Sequence, residues 1–365
     1  MPSTHDTDRP ANPATEPTTG PATHPAATDP ATYPAAEDPA TDPAATAPAT
    51  HPAASAPATR PAATAPATDP AATDPATDTF VAHRDLLFTV AYEMLGSAAD
   101  AEDVLQETWL RWTGVDLAQV RDQRAYLVRI TTRQALNRLR TVRRRREAYV
   151  GQWLPEPLLT TPDVAEDVEL TESVSMAMML VLETLTPTER AVFVLREVFE
   201  VGYDEIAAAV DKTPAAVRQI AHRARKHVDA RRPRTTVSAR EARAVVDSFR
   251  RALETRDPQD FLDLLAPDIV LVSDGGGIKR AALRPVVGAD KVTRFYLGGS
   301  LKANVTVTTE PTVVNGAPAL AVRIDGELDG VMAVRVENGL ISGLYYVRNP
   351  EKLTHVVAET SLTLR

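Results

Sequence analysis

The stretch YDEIAAAVDKTPAAVRQIAHRARK, Tyr203 to Lys226, decides the reading of this chain. It divides into a short apolar-faced helix, a tight turn and a second helix with its charge on one side. On a 3.6-residue wheel, Val217, Ile220, Ala221, Ala224 and Val228 of the second helix fall inward. Arg218, Gln219, His222, Arg223, Arg225 and Lys226 fall outward. Thr213 is a good N-cap, and Pro214 suits the first helical position. A helix of this shape fits the DNA major groove, where outward side chains reach phosphates and base edges. The same pattern also describes an ordinary helical hairpin with a solvated basic face, so the neighbouring sequence has to decide.

Charge distribution favours a polyanion despite the total. The formal net charge is −9 over 365 residues. Residues 1–79 hold eight Asp and two Glu against two Arg, which accounts for nearly all of it. The remainder is split: Arg129–Arg146 and Arg218–Arg234 are strongly basic, Glu156–Glu172 acidic. Local patches, not the sum, steer a nucleic acid. The absence of cysteine excludes disulfides, zinc–thiolate sites and thiol chemistry, and neither metal nor cofactor is expected. The opening MPSTHDTDRPANPATEP lacks the basic-then-apolar order of a secretion signal, and no apolar stretch is long enough to span a bilayer. The expected compartment is the cytoplasm, with no membrane partner.

Residues 1–79 are a degenerate PATDPA-like repeat, read as a disordered acidic tail. Its frequent prolines remove amide donors, and it has almost no large apolar side chains with which to offset ordering entropy. Residues 80–150 are helical, with runs at Phe80–Met94, Ala101–Trp112 and Arg124–Arg146. Residues 151–170 form a linker whose WLPEPL, Trp153–Leu158, carries two prolines. Residues 171–234 hold the helix-turn-helix. From Ser238 to Arg365, helices near Ala239–Glu254 and Pro258–Leu265 precede alternating runs at 269–273, 304–309, 319–324, 331–336 and 341–347. Helices followed by a meandering sheet indicate an α+β domain.

Two further helices carry informative faces. Arg129, Arg133, Asn137, Arg140 and Arg144 share one side of the third run, opposite Leu127, Val128, Ile130, Ala135 and Leu139. A stripe of fixed positive charge beside an amide suits phosphates plus a base edge. In AEDVLQETWLRW, Val104, Leu105, Trp109 and Trp112 can pack inward while Glu102, Asp103, Gln106 and Glu107 stay outside. Such a face can dock a basic helical partner, although most charged faces are only solvated.

The order of these pieces resembles RNA polymerase sigma factors of the extracytoplasmic-function class. The carriers are DAEDVLQETWLRW (100–112), AYLVRITTRQALNRLR (125–140), LTPTERAVFVLREVFEVGYDEIA (185–207) and TPAAVRQIAHRARK (213–226). The resemblance implies that Asp103, Gln106 and Glu107 dock on core RNA polymerase. It implies that Arg129, Arg133, Asn137 and Arg140 serve the promoter −10 element, where melting needs a basic track for the unstacked strand. Arg218, Gln219, His222 and Arg223 would read the −35 element, with Arg225 and Lys226 on phosphates and Thr213 opening the recognition helix.

WLPEPL, SDGGG (273–277) and NPEKL (349–353) narrow the resemblance to the sigma-J-like subgroup, which carries a SnoaL-like domain behind the helix-turn-helix. Here Ile278 separates the glycines from Lys279, and Glu351 stands where Asp is more frequent. The resemblance implies a multidomain chain: two all-α sigma domains, a region 2 bundle and a region 4 helix-turn-helix, then an α+β cone that regulates them in cis. The regulatory contacts would involve Trp153, Leu154, Pro155, Glu156, Asp274, Gly275, Gly276, Gly277, Asn349 and Pro350. The glycines do not make a phosphate loop, because no Gly-Lys-Ser/Thr and helix start follow at the required spacing. Relatives of the cone include enzymes, but His355 is its only histidine, and Asp268, Asp274, Asp325 and Asp329 show no acid–base spacing. An apolar cavity there could take a small-molecule ligand.

The expected function is therefore a non-enzymatic initiation factor that binds core RNA polymerase and promoter DNA. Two rivals remain at this level. A stand-alone helix-turn-helix regulator would dimerise on a palindrome, although no dimerisation coil is evident. A SnoaL-like enzyme with a helical appendage would show turnover by residues 238–365.

Overall fold

The computed structural model describes residues 74–160, 164, 167–232, 237–255, 257–303, 305–354, 356 and 359–364. The repeat up to residue 73, His355 and the segment 233–236 lie outside them.

Helix α1 (Pro75–Leu95) opens on a proline, where no intrahelical amide bond is lost, and closes at Gly96. The φ of 67° at Gly96 lets its N–H reach the Tyr92 carbonyl. The helix takes in Pro75–Thr79, which the sequence places in the tail. The reason is tertiary: the Trp112 indole donates to the Ala76 carbonyl at 2.7 Å, and Ala76 is buried. Helix α2 (Ala98–Trp112) is capped by Ser97 and α3 (Gln123–Glu147) by Asp122. Leu87, Met94, Leu105, Trp112, Leu127 and Leu136 interlock as the core of this bundle.

Among the described residues, the helices after the extended linker are α4 (Val168–Val174), α5 (Met176–Glu183), α6 (Pro187–Phe193), α7 (Tyr203–Val210) and α8 (Pro214–Asp229). Thr186 and Glu189 form a reciprocal capping box that starts α6, and a π turn at Val194–Val198 ends it. Asp211, in the left-handed region at φ 56°, makes the tight turn between α7 and α8. The α6–α8 core (Val192, Ile206, Val217, Ala224, Val228) is continuous with that of α1–α3, so the two helical modules share one apolar interior.

The C-terminal domain comprises α9 (Ala239–Thr255), α10 (Pro258–Leu264), β1 (Leu265–Asp274), β2 (Val286–Val287), α11 (Ala289–Ala303), β3 (Val307–Val314), β4 (Ala317–Ile324), β5 (Glu327–Glu337) and β6 (Leu340–Val347). The sheet order is β2-β1-β6-β5-β4-β3, antiparallel throughout except for the β1–β6 pair. Asn315-Gly316, Asp325-Gly326 and Asn338-Gly339 supply consecutive positive φ values at the three hairpins, as two-residue loops require. The sheet has two covered faces. On one, Leu271, Leu320, Met332 and Leu344 pack with Val246, Phe249, Phe261 and Val292 of the domain's own helices. On the other, Val314, Ala333, Tyr345 and Val347 pack with Leu154 of the linker and Met176 and Ala177 of α5. Strand β6 is accordingly buried from Ile341 to Val347, including Ser342 and Gly343, where an alternating strand would leave one face exposed.

Candidate nucleic-acid interface and its intramolecular cover

The recognition helix matches its sequence pattern side by side. Val217, Ile220, Ala221, Ala224 and Val228 are buried, while Arg218, Gln219, His222, Arg223, Arg225 and Lys226 are exposed. The Thr213 hydroxyl accepts the Ala216 amide at 3.2 Å and fixes the helix start. The Arg218 guanidinium sits 5.5 Å from the Tyr203 ring centroid, within cation–π range. Arg225 is held by Glu197 at 2.6 Å, which steers it away from the other cations of the face.

The α3 stripe lies against the other module. Asn137 and Arg140 are exposed and linked at 3.3 Å, and Arg129 is half-buried over the Tyr126 ring at 4.6 Å. Arg133 does not project freely: it donates to the Ala208 carbonyl of α7 at 2.8 Å. A side chain expected at the promoter thus joins the two modules here. On α2, Asp103, Gln106 and Glu107 are exposed, but Asp103 is paired to Arg138 at 2.8 Å. Arg138 also bonds Asp100 at 2.6 Å, tying α2 to α3, a bracing role that a one-helix reading does not assign.

The C-terminal domain is anchored on the linker. Asp274, fully buried at the end of β1, accepts from the Tyr149 hydroxyl at 2.7 Å, the Leu154 amide at 2.9 Å and Lys352 at 2.6 Å. Lys352 also donates to the Leu154 carbonyl at 2.6 Å and faces the Tyr149 and Trp153 rings at 4.8 and 4.4 Å. Burial pulls the Lys352 ammonium down to about 8, against the opposing pull of Asp274. Asn349 donates to Tyr149 at 2.9 Å and starts the turn at Pro350. The glycines make this cradle possible. A Cβ on Gly275 would lie 1.9 Å from the Lys279 carbonyl oxygen, and one on Gly276 2.3 Å from Asn349 Nδ2. Gly277 approaches Val150. The glycine loop is thus a packed socket for the linker. Pro155 is buried beside Glu156, whose carboxylate accepts Ser97 Oγ and the Ala98 amide, both at 2.7 Å, and so caps α2 from outside the bundle.

Two contacts escaped the sequence. Asn315, on the β3–β4 hairpin, is fully buried among three other segments. It donates to Tyr92 Oη of α1 at 2.7 Å and the Val174 carbonyl of α4 at 2.8 Å, and accepts the Leu158 amide of the linker at 2.9 Å. NGAP is legible as a turn; its docking partners, far away in sequence, are not. Glu93 of α1 is also fully buried, accepting from Ser173 of α4 at 2.7 Å, while Arg190 Nε of α6 donates to the Glu93 carbonyl at 2.9 Å. Arg190 and Arg146 of α3 both pair with Glu183, so this ionic cluster spans the modules.

Burial raises the Glu93 carboxyl from its ordinary 4.5 to about 8. If parting of the modules exposes Glu93, the open form releases a proton that the closed form keeps. Closure is then fully supported below the ordinary value, and the support is lost as pH rises through about 8. Between those limits the closed-to-open ratio is expected to fall by up to tenfold per pH unit. Interdomain distance measured from pH 6 to 8 checks this, and Glu93→Gln is expected to flatten the profile.

Among the described residues, Asp274 and Asp329 are both engaged in ion pairs. Asp329 is held below the usual carboxylate range by Arg348 and Tyr346, against its burial. No described helix is long and apolar enough to cross a membrane.

The comparisons agree with this geometry. The Sigma-70 region 2 model matches residues 79–145, and the Sigma-70 region 4 model matches residues 175–228. The chain is 36% identical over 295 residues to the ECF RNA polymerase sigma factor SigJ of Mycobacterium tuberculosis, covering 75% of this chain and 92% of that protein. It is 31% identical over 220 residues to SigG of the same species, covering 52% and 58%. The crystal structure of M. tuberculosis SigJ superposes with a TM-score of 0.62 at 34% identity, covering 76% of this chain and 98% of that one. A chain with both sigma modules in order, followed by an α+β cone, and with this identity over nearly the whole of SigJ, belongs to the extracytoplasmic-function sigma factors of RNA polymerase.

Proposed function

We propose that the arrangement described is the closed, promoter-incompetent form of this sigma factor, and that the C-terminal domain sets how readily it opens. One observation carries the reading: Arg133 of the −10 module is hydrogen-bonded to Ala208 of the −35 module. Promoter elements about 25 base pairs apart lie on the order of 85 Å apart at 3.4 Å per base pair. Two modules in direct contact cannot occupy both.

In the open form Arg218, Gln219, His222 and Arg223 would face base edges of the −35 element, and Arg225 and Lys226 its phosphates. Arg129, Asn137 and Arg140 would track the −10 strand, joined by Arg133 once it leaves Ala208. Gln106 and Glu107, with Asp103, would meet core polymerase. The socket around Asp274 and the Asn315 hairpin would hold the linker and both modules together until polymerase binding offsets them. A small molecule bound by the cone would bias the same equilibrium.

Run-off transcription with purified core polymerase tests this. A chain ending at Arg232 is expected to initiate from the same start sites as the full chain, with a changed yield. Identical yields would remove the regulatory role, and absence of any start site with either chain would remove the promoter-level assignments.

A further inference from the structure

The last described segment of the chain lies outside the cone, across the helical modules. The Thr360 amide donates to the Leu159 carbonyl at 2.7 Å, so the strap first pairs with the linker. The Thr363 amide then donates to Thr89 Oγ1 of α1 at 3.1 Å. Leu362, only 5% exposed, enters the core shared by α1–α3 and α6–α8, and Leu364 packs against the same core. Thr363 and Leu364 form one wall of a groove of about 650 Å³ between the modules. Arg124 at the start of α3 and Ser173, Met178, Phe193 and Phe199 also line it.

The strap has the properties of a ligand. It contributes a single fully inserted side chain and a few backbone hydrogen bonds. It lies outside every described helix and strand, so its departure breaks none of them. Its Thr363 bonds α1 while Thr363 and Leu364 line one groove with Ser173 of α4, Met178 of α5 and Phe193 of α6, so the site is complete only while α1 and the α4–α6 region stand together. A peptide that binds one arrangement and not the other stabilises the first by mass action, and tethering places it at an effective concentration of the order of millimolar.

We propose that Thr360–Leu364 is a detachable cis-ligand of the groove between the two DNA-binding modules, and that its release lets them part. This rests on the closed form being the restrained one, as argued above.

The test uses the full chain without native cysteine, labelled at Thr113→Cys and Ala230→Cys for a distance measurement. Leu362→Asp removes the inserted side chain, and a second chain stops after residue 358. Loss of one buried leucine is expected to shift the closed-to-open ratio toward open by roughly ten- to a hundredfold. A synthetic peptide of sequence TSLTL at millimolar concentration is expected to close the shortened chain again. A distance distribution unchanged in Leu362→Asp and in the shortened chain overturns the proposal, as does a shortened chain that opens and does not respond to the peptide. Thermal unfolding of each variant separates opening from loss of fold, and if one variant does not fold the other decides. If the shortened chain opens, recloses with peptide and transcribes no better than the full chain, the strap stands and the link between closure and restraint falls.

Discussion

An Asp274→Asn chain is expected to be mostly open. The substitution is nearly isosteric, so it isolates charge. In the wild-type socket the Asp274 carboxylate accepts from Tyr149, from the Leu154 amide and from Lys352, all in a site closed to water. The amide in its place carries no charge, and Lys352, 6% exposed, keeps only the Leu154 carbonyl and two aromatic faces. Breaking a buried pair by removing one partner costs about 3–5 kcal/mol, which moves an equilibrium by a factor of hundreds to thousands. Both members of the pair belong to the cone and each bonds Leu154 of the linker, so the loss should appear as separation of the cone from the linker rather than melting of the helical modules. Limited proteolysis of the linker and the labelled distance both read it. Adding Lys352→Met, which removes the stranded charge, is expected to recover part of the closed population. An additive double mutant would mean that the two side chains act independently and that the socket is not an ionic latch.

The second large effect concerns promoter choice. Arg218→Ala together with Arg223→Ala is expected to reduce specific initiation by roughly 30-fold or more, at about 1–3 kcal/mol for each base-reading arginine. Both side chains are exposed and neither joins the modules through an ion pair, so closure should be unaffected. Lys226→Ala should instead weaken binding evenly across sequences and lower the salt dependence by about one phosphate contact. Retention of promoter choice in the double variant would move the reading face elsewhere on α8.

Much of this architecture is legible in the sequence, for local reasons. The face of α8 follows from the spacing of Val217, Ile220, Ala224 and Val228, and each proves buried. The hairpins follow from Asn-Gly and Asp-Gly pairs, whose backbone preference needs no neighbour. Helix α11 does not stand out, because Gly298 and Gly299 interrupt its pattern. What stays hidden depends on partners distant in the chain. Asn315 is an ordinary turn residue until Tyr92, Leu158 and Val174 surround it. Asp274 is one aspartate among several until Lys352 reaches it across the domain. Arg133 shows the converse: its place on the basic stripe is correct, yet in this state its hydrogen bond goes to protein. Periodicity reports which face is polar and is silent on what that face meets.

On this reading the two DNA-binding modules are in contact in the free factor and separate to initiate. The most direct test is the distance between labels at Thr113→Cys and Ala230→Cys, first in the free chain and then with core polymerase and promoter DNA. One short distance is expected in the free chain, and a shift of tens of ångströms, on the scale of the span between promoter elements, in the complex. The same short distance in a transcriptionally competent complex would contradict this reading.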